Sequence, residues 1–264
     1  MIMRKEFDLT RANYGTVKSS DYDVALLPWG ATEPHNLHLP YLTDSILSQE
    51  IAVSSAELAF ERHGVRCMVL PPVSFGSQNP GQQELPFCIH SRYETQKAIL
   101  QDIVASLHMQ GYSRLLIING HGGNSFKNMI RDMHCIYPDF IIASSEWYKV
   151  CRAADFFDDP GDHADELETS VMLHFHPELV NISEAGEGRS GGFSAELLKE
   201  GKVWIPRNWS RVSIDTGIGN PAKATAEKGA AFAKAVTDRY ADFLKDFTEE
   251  DLYTEMPHQN PQCF

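Results

Sequence analysis

Short apolar runs alternate with helical periodicities along most of the chain. The first run is Asp23–Leu27, where Val24-Ala25-Leu26-Leu27 is unbroken by any polar residue. So short and continuous a run predicts a strand buried on both faces. Apolar positions then recur at helical spacing to about Arg62 (Ile46, Leu47, Ile51, Ala52, Leu58, Ala59), behind the helix-capping types Thr43 and Asp44, and Gly64 ends the pattern. Val65–Val73 reads as a second strand stopped at Pro71-Pro72, Tyr93 to Gln110 as an amphipathic helix closed by Gly111, and Arg114–Asn119 as a third strand. A helix through Phe126, Met129, Ile130 and Met133 follows, then a fourth strand at Phe140–Ala143, a helix from Asp165 to Phe175 closed by His176-Pro177, and an Ala-rich amphipathic helix over 222–247. Strands alternating with helices predict an α/β fold with a mostly parallel sheet covered on both faces. Residues 1–20 are weakly patterned and read as an edge element or a subunit contact, and the tail from about Glu249 reads as frayed. No internal repeat interrupts this order, so one domain over 1–264 is expected, its core at about 22–247.

Composition narrows the function classes. A net charge of −13 over 264 residues lacks the basic footprint that nucleic-acid binding requires. The N-terminus MIMRKEFDLT has no apolar stretch of a secretory signal, and no run approaches the ~20 apolar residues that span a bilayer. Cys67, Cys88, Cys135, Cys151 and Cys263 are scattered, odd in number and never spaced C-x-x-C, which fits reduced thiols in a cytoplasmic protein.

Three constellations carry candidate chemistry. The first is Glu33, His35, His38 and Asp44, just past the first strand, where open α/β sheets place their sites. Residues i and i+2 of an extended segment project to one face, so Glu33 and His35 can converge on one ion, and Asp44 at a helix start can reach the same place. Read blandly, the two acids are caps and His35 a satisfied core histidine. His38 either orients a ligand from behind or packs structurally. The second is Asn119 to Asn124 (NGHGGN), a glycine-rich strand-to-helix turn that could cradle a phosphate, but whose central His121 points to metal ligation. The third is His163 to Ser170, with His163 at a helix start and Glu168 turned inward from its body. Residues 74–90 and 181–220 are rich in turn formers. The former reads as a substrate-covering loop or a surface connector, the latter as a cover over the site.

With these placed, the sequence resembles the creatininase family. Its G-x-x-E-x-H-x-x-H-L-P pattern stands at Gly30–Pro40 with Asp44 downstream, N-G-H-G-G-N at Asn119–Asn124, and H-A-x-E-x-E-T-S at His163–Ser170. Thr216 to Pro221 leading into Ala224–Gly229 matches further, and the resemblance covers about residues 22–235. It implies a three-layer α/β/α fold and two divalent metal ions per subunit, zinc first, with manganese or iron as alternatives. It also implies a homo-oligomer, a hexamer by family habit. Glu33, His35, Asp44 and His121 match the family's metal ligands, with Asp44 as the bridge. Creatininase proper has a ligand glutamate two positions after the loop histidine; Gly123 stands there, so Glu168 becomes the candidate replacement. His163 matches the histidine that contacts substrate and assists proton transfer. Leu85-Pro86-Phe87-Cys88 in place of the usual P-G-T, Asp165 in place of a common Gly, and the missing Trp-Asp pair before His163 all fall on the substrate side.

The expectation is a metal-dependent amidohydrolase acting on a non-peptide, cyclic amide of small size. His163 and Glu168 are its catalytic candidates. Gly122, Gly123, Ser77 and Gln78 are its substrate or oxyanion contacts, and His38 and Asn124 stand behind the ligands. Alternatives are a formamidopyrimidine-type deformylase, a precursor-peptide peptidase, and a catalytically silent anion-binding α/β protein.

Overall fold

A computed structural model describes residues 4–249 and 251–254; most of the expected frayed tail, and Cys263 with it, lies outside them. The four strands of the sheet are β1 Val24–Trp29, β2 Cys67–Val69, β3 Arg114–Asn119 and β4 Ile141–Glu146, all parallel in the order β2-β1-β3-β4. Their register aligns Trp29 with Asn119 and Asn119 with Glu146, so three strands end level with one another. The loops that leave this edge carry the candidate ligands.

Five long helices cover the sheet: α1 Thr43–His63, α2 Tyr93–Met109, α3 Lys127–Ile136, α4 Glu166–Phe175 and α5 Ala226–Thr248. Alternation along the strands sorts them into two layers. Val24, Leu26, Leu116 and Ile118 share a core with α1, α4 and α5. Ala25, Leu27, Trp29, Leu115 and Ile117 face α2 and α3. The result is the three-layer α/β/α arrangement. At the contact of α4 with α5, Gly229 lies so close to the Ser170 carbonyl that an added methyl would collide with it. No helix among the described residues is long and apolar enough to cross a membrane.

Two strand boundaries differ from the sequence reading. The second strand is only Cys67–Val69, because Pro71 and Pro72 lack the N–H groups that a ladder needs. The chain still tracks β1 through isolated bonds, Leu70 N–H to Leu26 O and Val73 N–H to Pro28 O. The fourth strand begins at Ile141 and runs on to Glu146. The N-terminal segment, expected as an edge element or a subunit contact, forms short helices at Arg4–Phe7 and Tyr14–Val17 and touches the sheet edge through a bridge, Asp8 to Val69.

Candidate metal centre

β1 feeds directly into the first ligand segment. Asn36 holds a left-handed backbone (φ 53°), and its side chain accepts from Gly186 N–H (2.9 Å) and donates to Gly186 O (3.1 Å). This brace fixes the turn just after His35. Helix α1 starts with Leu42 in the cap position and no side-chain cap, so Thr43 and Asp44 are not the caps that their types suggested. The Thr43 hydroxyl donates to Pro40 O, and the Asp44 carboxylate is turned into the site instead.

Three buried imidazoles are oriented in the same way. His35 Nδ1 lies 3.0 Å from Glu33 O, His121 Nε2 2.7 Å from Ser77 O, and His163 Nε2 2.9 Å from Pro34 O. A carbonyl can only accept, so each of these nitrogens carries the proton. The opposite nitrogens turn toward carboxylates. His35 Nε2 is 3.0 Å from Asp44 Oδ1, and His121 Nδ1 is 2.9 Å from Glu33 Oε1 and 3.1 Å from Asp44 Oδ2. His163 Nδ1 is 3.7 Å from Glu33 Oε1.

Glu168 arrives from the first turn of α4. Ala164 takes a left-handed backbone (φ 50°), rare outside glycine, and donates its N–H to Glu168 Oε2 at 2.5 Å. Asp165 is the N-cap of α4, accepting from Glu168 N–H (3.0 Å), while its other oxygen accepts from Gly161 N–H (2.6 Å).

Proximity governs the protonation of this cluster. Burial alone would depress His35, but Asp44, Glu168 and Glu33 carry it up to about 10, and His121 rises well above its ordinary value between Glu33 and Asp44. Burial pushes Glu168 up to about 8 against the pull of His35, and Asp165 up to about 6. Asp44 and Glu33 are lowered: burial opposes this, but His35 dominates at Asp44 and His121 at Glu33. Burial and the neighbouring His35 lower His163.

The ligand atoms fall into overlapping groups, each within 4.8 Å of mutual contact: Glu33–Asp44–His121, His35–Asp44–Glu168 and Glu33–His35–His163. The first two share Asp44, and Asp44 Oδ2 is buried without a well-formed hydrogen bond. Carboxylates and imidazoles with one nitrogen already anchored are what a divalent ion takes. The donor set therefore fits divalent metal, with Asp44 common to the first two groups. Glu168 lies where a carboxylate was sought in place of Gly123. No side chain fits at Gly123 in this conformation, because a Cβ there would run into the Ser77 carbonyl that orients His121.

The cluster floors a cavity of about 500 Å³. Ser77, Gln78, Gly122 and Gly123 line it, as expected of substrate contacts. Asn124 braces the loops, accepting from Ser77 N–H (3.2 Å) and donating to Gly30 O (3.2 Å). The His38 ring pairs with the Thr169 hydroxyl at 2.8 Å, one residue beyond Glu168, and its Nδ1 is buried without a partner; burial and His35 push it down to about 4. Both loop regions cover the cavity and meet there: Trp209 N–H donates to Pro80 O at 2.7 Å. Sequence reasoning missed Gln82, which donates to Glu33 Oε2 at 2.6 Å and accepts from Asn79 N–H at 2.9 Å. It also missed Tyr148 and Arg207 in the wall, and Trp209, whose ring stands edge-on to His163 at 5.4 Å.

The family profile described as creatininase, creatinine amidohydrolase, matches residues 8–244. A mycofactocin precursor peptide peptidase of Mycobacterium ulcerans is 30% identical over 231 residues, 83% of this chain and 84% of that protein. A crystal structure of a Bacteroides fragilis protein, provisionally assigned as a creatinine amidohydrolase, is 57% identical. It superposes with a TM-score of 0.93, covering 95% of this chain and 99% of that one. A creatininase variant described as Zn-Zn type shares the fold at 22% identity and a TM-score of 0.69, covering 90% of this chain and 97% of its own.

Proposed function

The chain belongs to the creatininase family, and from that premise we propose that it is a metal-dependent amidohydrolase acting on a non-peptide, cyclic amide C–N bond. One observation carries the reading. Three buried imidazoles tie one nitrogen to a backbone carbonyl and turn the other into a shared cluster of carboxylates. Glu33, Asp44 and His121 would hold one ion, and His35, Asp44 and Glu168 the other. Such a pair, when bound, lowers the pKa of a water and polarises the substrate carbonyl.

The remaining work falls to this chain's own groups. His163 is held neutral by burial beside His35, with its proton on Nε2 toward Pro34 O. Its Nδ1 can therefore take a proton and return it to the leaving nitrogen. Gly122 and Gly123 lie at the wall where an oxyanion would develop. Gln82 keeps the far oxygen of Glu33 occupied, so the carboxylate presents its other oxygen to the ion.

The test is metal content together with amide hydrolysis in Glu33→Gln, His121→Ala and Glu168→Gln. Each variant is expected to lose at least one equivalent of metal and, by removal of a ligand, at least about 100-fold in activity. Full metal occupancy in all three would end the assignment. A second reading, precursor-peptide peptidase, is favoured by the Mycobacterium ulcerans relative. Product analysis separates the two, since a peptidase releases a free peptide and a cyclic amidohydrolase opens a ring without losing mass.

We also propose a homo-oligomer. Leu37 and Phe87 are 65% and 87% exposed, and the segments that carry them are joined by Tyr41 Oη donating to Pro86 O at 2.8 Å. Large apolar groups so exposed are costly to leave in water, and a second subunit would cover them.

A further inference from the structure

Besides its histidines, the cavity is lined by two cationic side chains, Lys149 and Arg207. Lys149 pairs with Glu146 at 2.9 Å and is 63% exposed, so it belongs to the open rim. Arg207 is placed differently. Its guanidinium stands over the ring of Trp209 at 5.1 Å, and that ring stands edge-on to His163 at 5.4 Å. Trp209 is a firmly held platform. It is buried, its backbone N–H donates to Pro80 O (2.7 Å), and its indole N–H donates to Thr216 O (3.2 Å). Arg207 therefore lies no farther from the candidate proton-transfer histidine than these two ring-to-ring steps together.

The guanidinium is only partly satisfied. Asp162 Oδ2 meets its Nη1 at 2.6 Å, and Asp162 is its one ion-pair partner among the described residues. A guanidinium carries five N–H donors, and one carboxylate takes at most two of them in a fork. At least three donors are left for another acceptor. An arginine stacked on an aromatic ring is also pre-organised, so it loses little freedom when an anion arrives. We infer that Arg207 is an anion subsite of the cavity, taking a carboxylate that the substrate bears a few bonds away from its scissile amide. The inference rests on the amidohydrolase reading and adds a charged group to its substrate. Asp162 holds one corner of the fork beforehand, and the substrate carboxylate competes with it. A neutral analogue of the same shape leaves the remaining donors without a charged acceptor and binds more weakly.

The test titrates two lactam acids, pyroglutamate and its homologue with a longer acid arm, each beside its neutral primary carboxamide. Ligand-observed NMR follows binding to the zinc-loaded full chain in wild type, Arg207→Gln and Asp162→Asn. Wild type is expected to bind at least one acid about tenfold or more tightly than its carboxamide, as a charge-assisted fork allows. Arg207→Gln should bring each acid within about twofold of its carboxamide while zinc content and Tm stay as in wild type. Asp162→Asn should tighten the preferred acid about threefold or more, because a competing like charge has been removed. Wild type that binds no probe, or shows no preference for an acid, overturns the inference. So does a preference that survives in Arg207→Gln, which would place the carboxylate on the ions instead. Should Arg207→Gln lose zinc or Tm, Asp162→Asn decides, and acid affinity that fails to rise there overturns the assignment. Wild type that takes up no zinc ends the amidohydrolase reading and this inference with it. Zinc-loaded wild type without acid preference ends the Arg207 assignment alone.

Discussion

A buried imidazole can serve as a ligand only when its proton is parked elsewhere, and the carbonyls of Glu33, Pro34 and Ser77 do that parking here. Without metal, the opposite nitrogens share protons with the carboxylates, and this has a consequence for stability. His35 is raised from 6.5 to about 10 and Glu168 from 4.5 to about 8. A group with a raised folded-state pKa stabilises fully below its unfolded value and loses that contribution as pH climbs through the folded one. His38, lowered from 6.5 to about 4, acts oppositely and only below pH 6.5. Chelator-treated protein should therefore lose Tm steadily between pH 6.5 and 10, and differential scanning calorimetry across that range checks it. Metal bound in this cluster would take the place of these protons, so the loaded protein should show a flatter profile, and metal uptake at pH 7 should release protons. A chelated protein with a flat or rising Tm over the same range would contradict the arrangement.

At the scale of elements, Gly229 shows how far from the ligands the site can be damaged. Helix α4 supplies Glu168, and it lies against α5 with the Ser170 carbonyl filling the place of a side chain at Gly229. Gly229→Ala should push α4 outward, costing about 1–3 kcal/mol of stability as overpacking does. Denaturant unfolding together with metal content checks this: both should fall, although residue 229 touches no ligand. The strands and long helices were legible because their apolar periodicity is strong. The order Glu33, His35, Asp44, His121, Glu168 could be read because ligand types clustered at strand ends. Asp44 has a type that suits a helix cap as well as a ligand, and what settles its orientation here, the pull of two histidines, is a tertiary fact. Gln82 was not legible, since its partner Glu33 lies far away in sequence and nothing in a polar loop marks one glutamine among three. The second strand was overextended because Val65–Val73 looks apolar throughout, while its prolines act through missing donors and not through polarity.

For the whole molecule, the level strand ends and the covering loops divide the labour. The sheet edge fixes the ligands, while residues 74–90 and 181–220 shape the space above them. The proposed oligomer draws on one of these loops and on the segment after β1, because Phe87 and Leu37 are exposed there. Phe87→Asp combined with Leu37→Asp should shift the protein to a smaller species in sedimentation velocity with little change in Tm per subunit. An unchanged sedimentation coefficient would place the contact elsewhere. The bond from Trp209 to Pro80 adds a different kind of consequence. Because the two covering regions grip each other above the candidate ligands, a new substrate preference has to be inherited or engineered as a matched pair. A graft of either region alone from a relative would bring one half of a joint without its mate. Transplanting both together, with Pro80 and Trp209 aboard, would carry the preference across and leave the floor of candidate ligands untouched.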